Sequence, residues 1–167
     1  MKFKIFTSNP SQTKKAGQLL AEEVLKSKPT KKVYPVGPRK GSYGAFVIGL
    51  VGDLGGGKTC FLQGFAKGLG LKEKILSPTF VIIKKYKIQN TKYKIQYFFH
   101  IDCYRIQKPQ EILDLGFERI IANPKNIVAI EWADRIRKIM PLNTIWINFE
   151  FVSPRKRKIM VESRNGK

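Results

Sequence analysis

The octapeptide Gly52-Asp53-Leu54-Gly55-Gly56-Gly57-Lys58-Thr59 constrains this chain more than any other stretch, because it fits G-x-x-x-x-G-K-[ST]. Glycines at these positions let backbone N–H groups turn inward around phosphate oxygens. Lys58 adds a cation near the β/γ-phosphates, and the Thr59 hydroxyl is placed to ligate Mg²⁺. The flanks decide whether such a pattern is a phosphate loop or only a glycine-rich turn. Ala45-Phe46-Val47-Ile48-Gly49-Leu50-Val51 is a short apolar run suited to a buried strand. After Thr59, apolar Phe61, Leu62, Phe65, Ala66 and Leu69 recur at helical spacing, and Gly68 and Gly70 mark the stop. Strand, loop and helix in register predict a nucleoside triphosphate site in an α/β fold.

The 167 residues suit one domain spanning 1–167, with a basic loop inserted at 26–44. No apolar run approaches the ~20 residues of a membrane span, and the sequence reads as cytoplasmic with no membrane contact. Cys60 and Cys103 are too few for a disulfide framework and read as reduced packing residues. The net charge of +20 is unevenly spread. Residues 24–52 and 74–101 each hold six Lys/Arg and no acid, and the last 17 residues hold six against Glu162 alone. Two readings stay open: a solvated lysine-rich surface, or contact with RNA or an acidic partner.

Taken in order, Lys2 to Phe6 alternates as a short strand. Asn9 (N-cap), Pro10 and Gln12 open a helix running to about Leu25, with Ala16, Leu20 and Val24 expected inward. Three prolines and three glycines fill the 26–44 loop. Beyond the phosphate-loop helix, Val81 to Ile88 and Tyr93 to Phe99 form an expected antiparallel hairpin turning at Gln89-Asn90-Thr91, the return strand burying one face. Pro109 to Ala122 reads as a single helix, and Ile127 to Ile130 as a buried strand. Asp134 to Ile139 reads as a helical turn, and Thr144–Val152 with Lys158–Glu162 as a closing strand pair. The sum is a three-layer α/β sandwich around a mixed, mostly parallel sheet of about seven strands.

A phosphate-loop nucleotidase needs a second carboxylate directed at Mg²⁺ and a group that orients the attacking water. Asp102 and Glu131 each end an apolar strand and qualify by position. Acids on the expected helices read as surface charge. His100, the only histidine, rules out a histidine-rich metal site and reads as a packing or hydrogen-bonding residue. Thr79 stands where a switch threonine could sense the γ-phosphate.

Four blocks now stand in order: Gly-Asp-Leu-Gly-x-Gly-Lys-Thr at 52–59, Ser-Pro-Thr-Phe at 77–80, His-x-Asp-x-Tyr-Arg at 100–105 and Glu-Trp at 131–132. Together they resemble the TsaE family, small ATPases of bacterial tRNA threonylcarbamoyladenosine synthesis, over nearly the whole chain. The resemblance implies an ATPase acting with TsaD and TsaB on the pathway that modifies tRNAs reading codons that begin with A, without itself transferring the threonylcarbamoyl group. It implies ATP and Mg²⁺ as cofactors. Gly52, Asp53, Leu54, Gly55, Gly56, Gly57, Lys58, Thr59 and Cys60 would hold the nucleotide, and Thr59 with Glu131 the metal. Asp102 would assist the water, Ser77-Pro78-Thr79 would be the switch, Trp132 would lie near the nucleotide and Thr13 near the adenine. Gly56 stands where the family has alanine and Cys60 where it has a second threonine; the 26–44 loop is longer than the family's. A small-molecule P-loop kinase with Arg135 and Arg137 as a lid, and an RNA-binding module with a vestigial loop, are the alternatives. Direct contact with tRNA through the basic segments also stays open.

Overall fold

The computed structural model describes residues 2–26, 44–76, 81–89 and 95–163. Ser77-Pro78-Thr79, Asn90-Thr91 and nearly all of the 26–44 loop lie outside them. The strands are β1 (Lys2–Thr7), β2 (Phe46–Gly52), β3 (Ile83–Lys87), β4 (Tyr97–Asp102), β5 (Asn126–Glu131), β6 (Ile145–Phe151) and β7 (Arg157–Ser163). The helices are α1 (Pro10–Lys26), α2 (Lys58–Gly68), α3 (Pro109–Asp114) and α4 (Phe117–Ala122), with a 3-10 turn at Ala133–Ile139.

Seven strands make one sheet in the order β1-β7-β6-β2-β5-β4-β3. The six pairings divide evenly, and the four central strands of this mixed sheet are parallel to one another. β6–β2, β2–β5 and β5–β4 are parallel, whereas β1–β7, β7–β6 and β4–β3 are antiparallel. The parallel core carries the phosphate-loop strand, and hairpin partners extend it on both sides. One buried cluster packs α1 and α2 on Ile48, Leu50, Ile127, Ala129, Ile147 and Phe149. A second packs Ile112, Phe117, Ile121 and Ile136 on Val47, Val128, Ile130 and Ile101. These are the alternate residues of the same strands, as a period of two requires. The three layers expected from the sequence follow.

β4 is buried on both faces from Phe98 to Asp102, not on one as its alternation suggested. It lies inside the sheet, under α2 on one side and α3 and α4 on the other, so Phe98 and Phe99 both find apolar partners. The expected helix 109–122 is two short helices. Gly116 between them has φ 81°, a left-handed conformation that glycine adopts without steric cost. The outer strands β1 and β3 carry Lys2, Lys4, Lys84, Lys85 and Lys87, which blunt open sheet edges against further pairing. Part of the basic excess therefore has a structural reason.

α1 starts as the sequence implied: the Gln12 N–H donates to Asn9 Oδ1 at 2.9 Å, and the Ser8 N–H donates to Gln12 Oε1. Its buried face, however, is Thr13, Gly17, Ala21, Val24 and Leu25; Ala16 and Leu20 are only partly buried. The cause is close backbone packing on α2. A Cβ on Gly17 would stand 2.1 Å from the Phe61 carbonyl oxygen, and one on Gly64 would stand 1.8 Å from that of Lys14. Gly64→Ala must push the helices apart. We expect it to destabilise the fold by about 3 kcal/mol, seen as a melting temperature lower by ~6–12 °C. An unchanged melting temperature would mean that the helices are not packed this closely.

Candidate functional site

β2 ends at Gly52, the loop turns through Gly55 and Gly57 at φ 74° and 104°, and α2 begins at Lys58. Leu54 points outward, 82% exposed at the loop tip. The Gly56 N–H donates to the Asp53 carbonyl, tightening the turn. Lys58 folds back along the loop: its Nζ donates to the Gly52 carbonyl and, at 2.8 Å, to that of Asp53. The same ammonium lies 4.0 Å from the centre of the Trp132 ring. Burial pushes Lys58 below the ordinary lysine range, and the carboxylates of Glu131, Asp102, Asp53 and Asp134 pull it back up. A cation so surrounded stands ready for an anion at the loop.

The two strand-end acids meet this loop because of strand register. Asp102 and Glu131 are direct partners across β4 and β5, and Glu131 is also the partner of Leu50 on β2. Register partners share a face of the sheet, and this face carries α2. Thr59, in the first turn of α2, therefore meets Glu131: its Oγ1 donates to the carboxylate at 3.1 Å and 3.3 Å. Glu131 is 2% exposed and also bonds His100 Nε2 at 2.9 Å. Asp102 Oδ1 accepts the Tyr104 N–H at 2.9 Å, which fixes the carboxylate.

Among the described residues no three His, Cys, Asp or Glu side chains gather into a metal cage. The donor set suits Mg²⁺ all the same. That ion binds through one or two carboxylates, phosphate oxygens and water rather than an all-protein cage. A hydroxyl and a carboxylate in contact beside the loop would supply its protein share.

Trp132 follows Glu131 in a left-handed backbone conformation, φ 57°, and its ring packs against Tyr104 at 5.2 Å. Thr13 reaches the loop from α1, its methyl 3.6 Å from where a Cβ on Gly57 would lie. Its hydroxyl is shared with Thr7 Oγ1 at 2.8 Å. Thr13, Pro10, Asn9, Gly57, Cys60 and Arg157 are among the residues lining a cavity of about 480 Å³ beside the loop. Cys60 and Cys103 are both free thiols; burial raises both, that of Cys103 to about 12.

The sequence alone missed Arg157, whose guanidinium donates to the Gly55 carbonyl at 3.3 Å and ties the β6–β7 turn to the phosphate loop. Its only signal was membership of a basic run. Arg135 and Arg137 do not form a lid: Arg135 bonds the Ile106 carbonyl, and Arg137 stacks on Trp146 at 4.3 Å. The switch at 77–79 lies outside the described residues.

Comparison with known proteins identifies the family. Residues 7–159 match the family described as "Threonylcarbamoyl adenosine biosynthesis protein TsaE". The chain belongs to the TsaE family. A Rickettsia felis protein, "tRNA threonylcarbamoyladenosine biosynthesis protein TsaE", is 32% identical over 154 residues, which are 92% of this chain and 75% of that one. The Treponema pallidum protein of the same description is 34% identical over 69% of this chain and 80% of its own length. The crystal structure of Bacillus subtilus YdiB superposes with a TM-score of 0.69 at 28% identity, covering 99% of this chain and 87% of that one. This TsaE-family chain is thereby placed in tRNA threonylcarbamoyladenosine biosynthesis. Among the described residues it has no helix long and apolar enough to cross a membrane.

Proposed function

We propose that this chain binds ATP with Mg²⁺ and hydrolyses it as the ATPase subunit of a tRNA-modifying assembly with TsaD and TsaB. The observation that carries the reading is the contact between Thr59, one residue past the phosphate-loop lysine, and Glu131 at the end of the neighbouring strand. Two groups 72 residues apart, both suited to one divalent ion, are held together where the phosphate loop would present its ligand.

Backbone N–H groups of 52–60 and the Lys58 ammonium bind and orient the phosphates. Thr59 and Glu131 would hold the metal, which would supply charge neutralisation at the phosphates. Asp102, anchored by Tyr104, orients the attacking water and accepts its proton. Trp132 and Tyr104 wall the phosphate end, and the cavity beside Thr13 and Pro10 takes the nucleoside. On this reading the threonylcarbamoyl transfer itself belongs to a partner. The cytoplasm, where tRNA is modified, is the site of action.

Phosphate release from Mg-ATP, with and without TsaD and TsaB, is the test. We expect slow release alone, faster release in the assembly, and no phosphorylated small-molecule acceptor. Transfer of the γ-phosphate to an acceptor would make the chain a kinase. Failure to bind ATP would leave the RNA-binding alternative.

A further inference from the structure

Among the described residues His100 has one polar contact and one orphan atom. It is completely buried, its Nε2 lies 2.9 Å from Glu131 Oε1, and its Nδ1 has no hydrogen-bond partner among the described residues. The geometry follows from the sheet. His100 pairs with Ala129 on β5, two residues before Glu131, so both side chains lie on the α2 side and meet diagonally. With Glu131 ionised, Nε2–H donates to the carboxylate and Nδ1 carries a lone pair that nothing described satisfies. A buried acceptor without a donor is costly, and an apolar residue of the same shape would avoid that cost. Packing alone therefore does not account for an imidazole here.

We infer that His100 is a positioning residue: its Nε2–H pins Glu131 Oε1 so that the carboxylate is presented toward Thr59 and the metal they would share. The inference rests on the proposed role of Glu131 as a metal ligand. Oε1 also accepts from Thr59, at 3.3 Å, so the carboxylate is held from two sides, by β4 and by α2. Ligating carboxylates are themselves held by hydrogen bonds, and loss of such an outer partner costs about 10- to 100-fold in metal affinity or activity. Nothing in this role requires His100 to change its protonation.

The test is calorimetry of ADP binding across a Mg²⁺ titration and in EDTA, with His100→Phe and His100→Gln. The glutamine amide can place a donor near the position of Nε2; phenylalanine keeps the bulk and removes the donor. We expect His100→Phe to raise the Mg²⁺ concentration at half-maximal effect about 10- to 100-fold, with affinity in EDTA unchanged. His100→Gln should stay near the wild-type midpoint. A wild-type midpoint in His100→Phe overturns the inference. Wild-type binding indifferent to Mg²⁺ overturns the metal-ligand reading of Glu131 and the inference with it, and the wild-type titration alone reveals that case. Should His100→Phe not fold, His100→Asn takes its place, since its shorter amide reaches only the position of Nδ1. A raised midpoint in Asn but not in Gln supports the inference, and equal midpoints overturn it.

Discussion

Lys58→Ala should weaken Mg-ATP binding by at least ~30-fold, the effect of truncating one member of a desolvated, hydrogen-bonded charge pair at about 2–5 kcal/mol. Among the described residues, two nearby arginines are already engaged. Lys14 and Arg157 are the cations that act on Cys60, but Arg157 already bonds the Gly55, Ser153 and Lys156 carbonyls. Arg135 is spent on the Ile106 carbonyl. Lys58→Arg should fail as well, because two carbonyls and an indole face surround a compact ammonium, and a planar guanidinium is wider. Melting of the nucleotide-free protein is the control. Lost affinity with retained melting assigns Lys58 to the phosphates, and unchanged Mg-ATP affinity by calorimetry would overturn the phosphate-loop reading altogether.

What could be read from the sequence was whatever local pattern decides. The phosphate loop, the apolar strand before it and the periodic helix after it are each set by neighbouring residues, and all three appear in register. The same holds for the Asn9–Gln12 helix start and for acids at the ends of β4 and β5. Features that depend on a distant partner were not legible. The inward face of α1 is fixed by where α2 approaches it, so Gly17, with no side chain to signal burial, displaces Ala16 and Leu20 from the centre of the contact. The helix break at Gly116 was open to view as a glycine, but glycine also occurs inside helices at a cost of only ~1 kcal/mol. His100 and Glu131 are 31 residues apart, and only the parallel pairing of β4 with β5 makes them neighbours. Arg157 is the same case across the sheet: a charge in a basic run until the β6–β7 turn sets it on Gly55.

The evenly mixed sheet has a functional side. Its parallel strands β6, β2, β5 and β4 all end on the same edge, and there the phosphate loop, Glu131 and Asp102 converge. The antiparallel strands add area and edge protection around that edge. β7 contributes to the site only through Arg157, at its first residue.

The two carboxylates at this edge should separate cleanly when each is removed. Glu131→Ala takes away the partner of Thr59 and His100, so Mg²⁺ should no longer tighten nucleotide binding, while affinity in EDTA stays near wild type. Asp102→Ala leaves Thr59, Glu131 and Lys58 in place. Nucleotide affinity should then change little, whereas turnover should fall by about 10²- to 10⁴-fold, the range for loss of a positioned acid–base group. Asp102→Asn sharpens the second arm, since the amide can still accept the Tyr104 N–H through its oxygen but cannot take a proton from water. Its turnover should be as low as that of the alanine variant. Turnover restored by asparagine would mean that Asp102 acts by holding the Tyr104 backbone and not by orienting water. If Asp102→Ala abolished the Mg²⁺ effect and Glu131→Ala spared it, the metal ligand and the water-orienting base would exchange places. The Thr59–Glu131 contact would then serve only to anchor the start of α2.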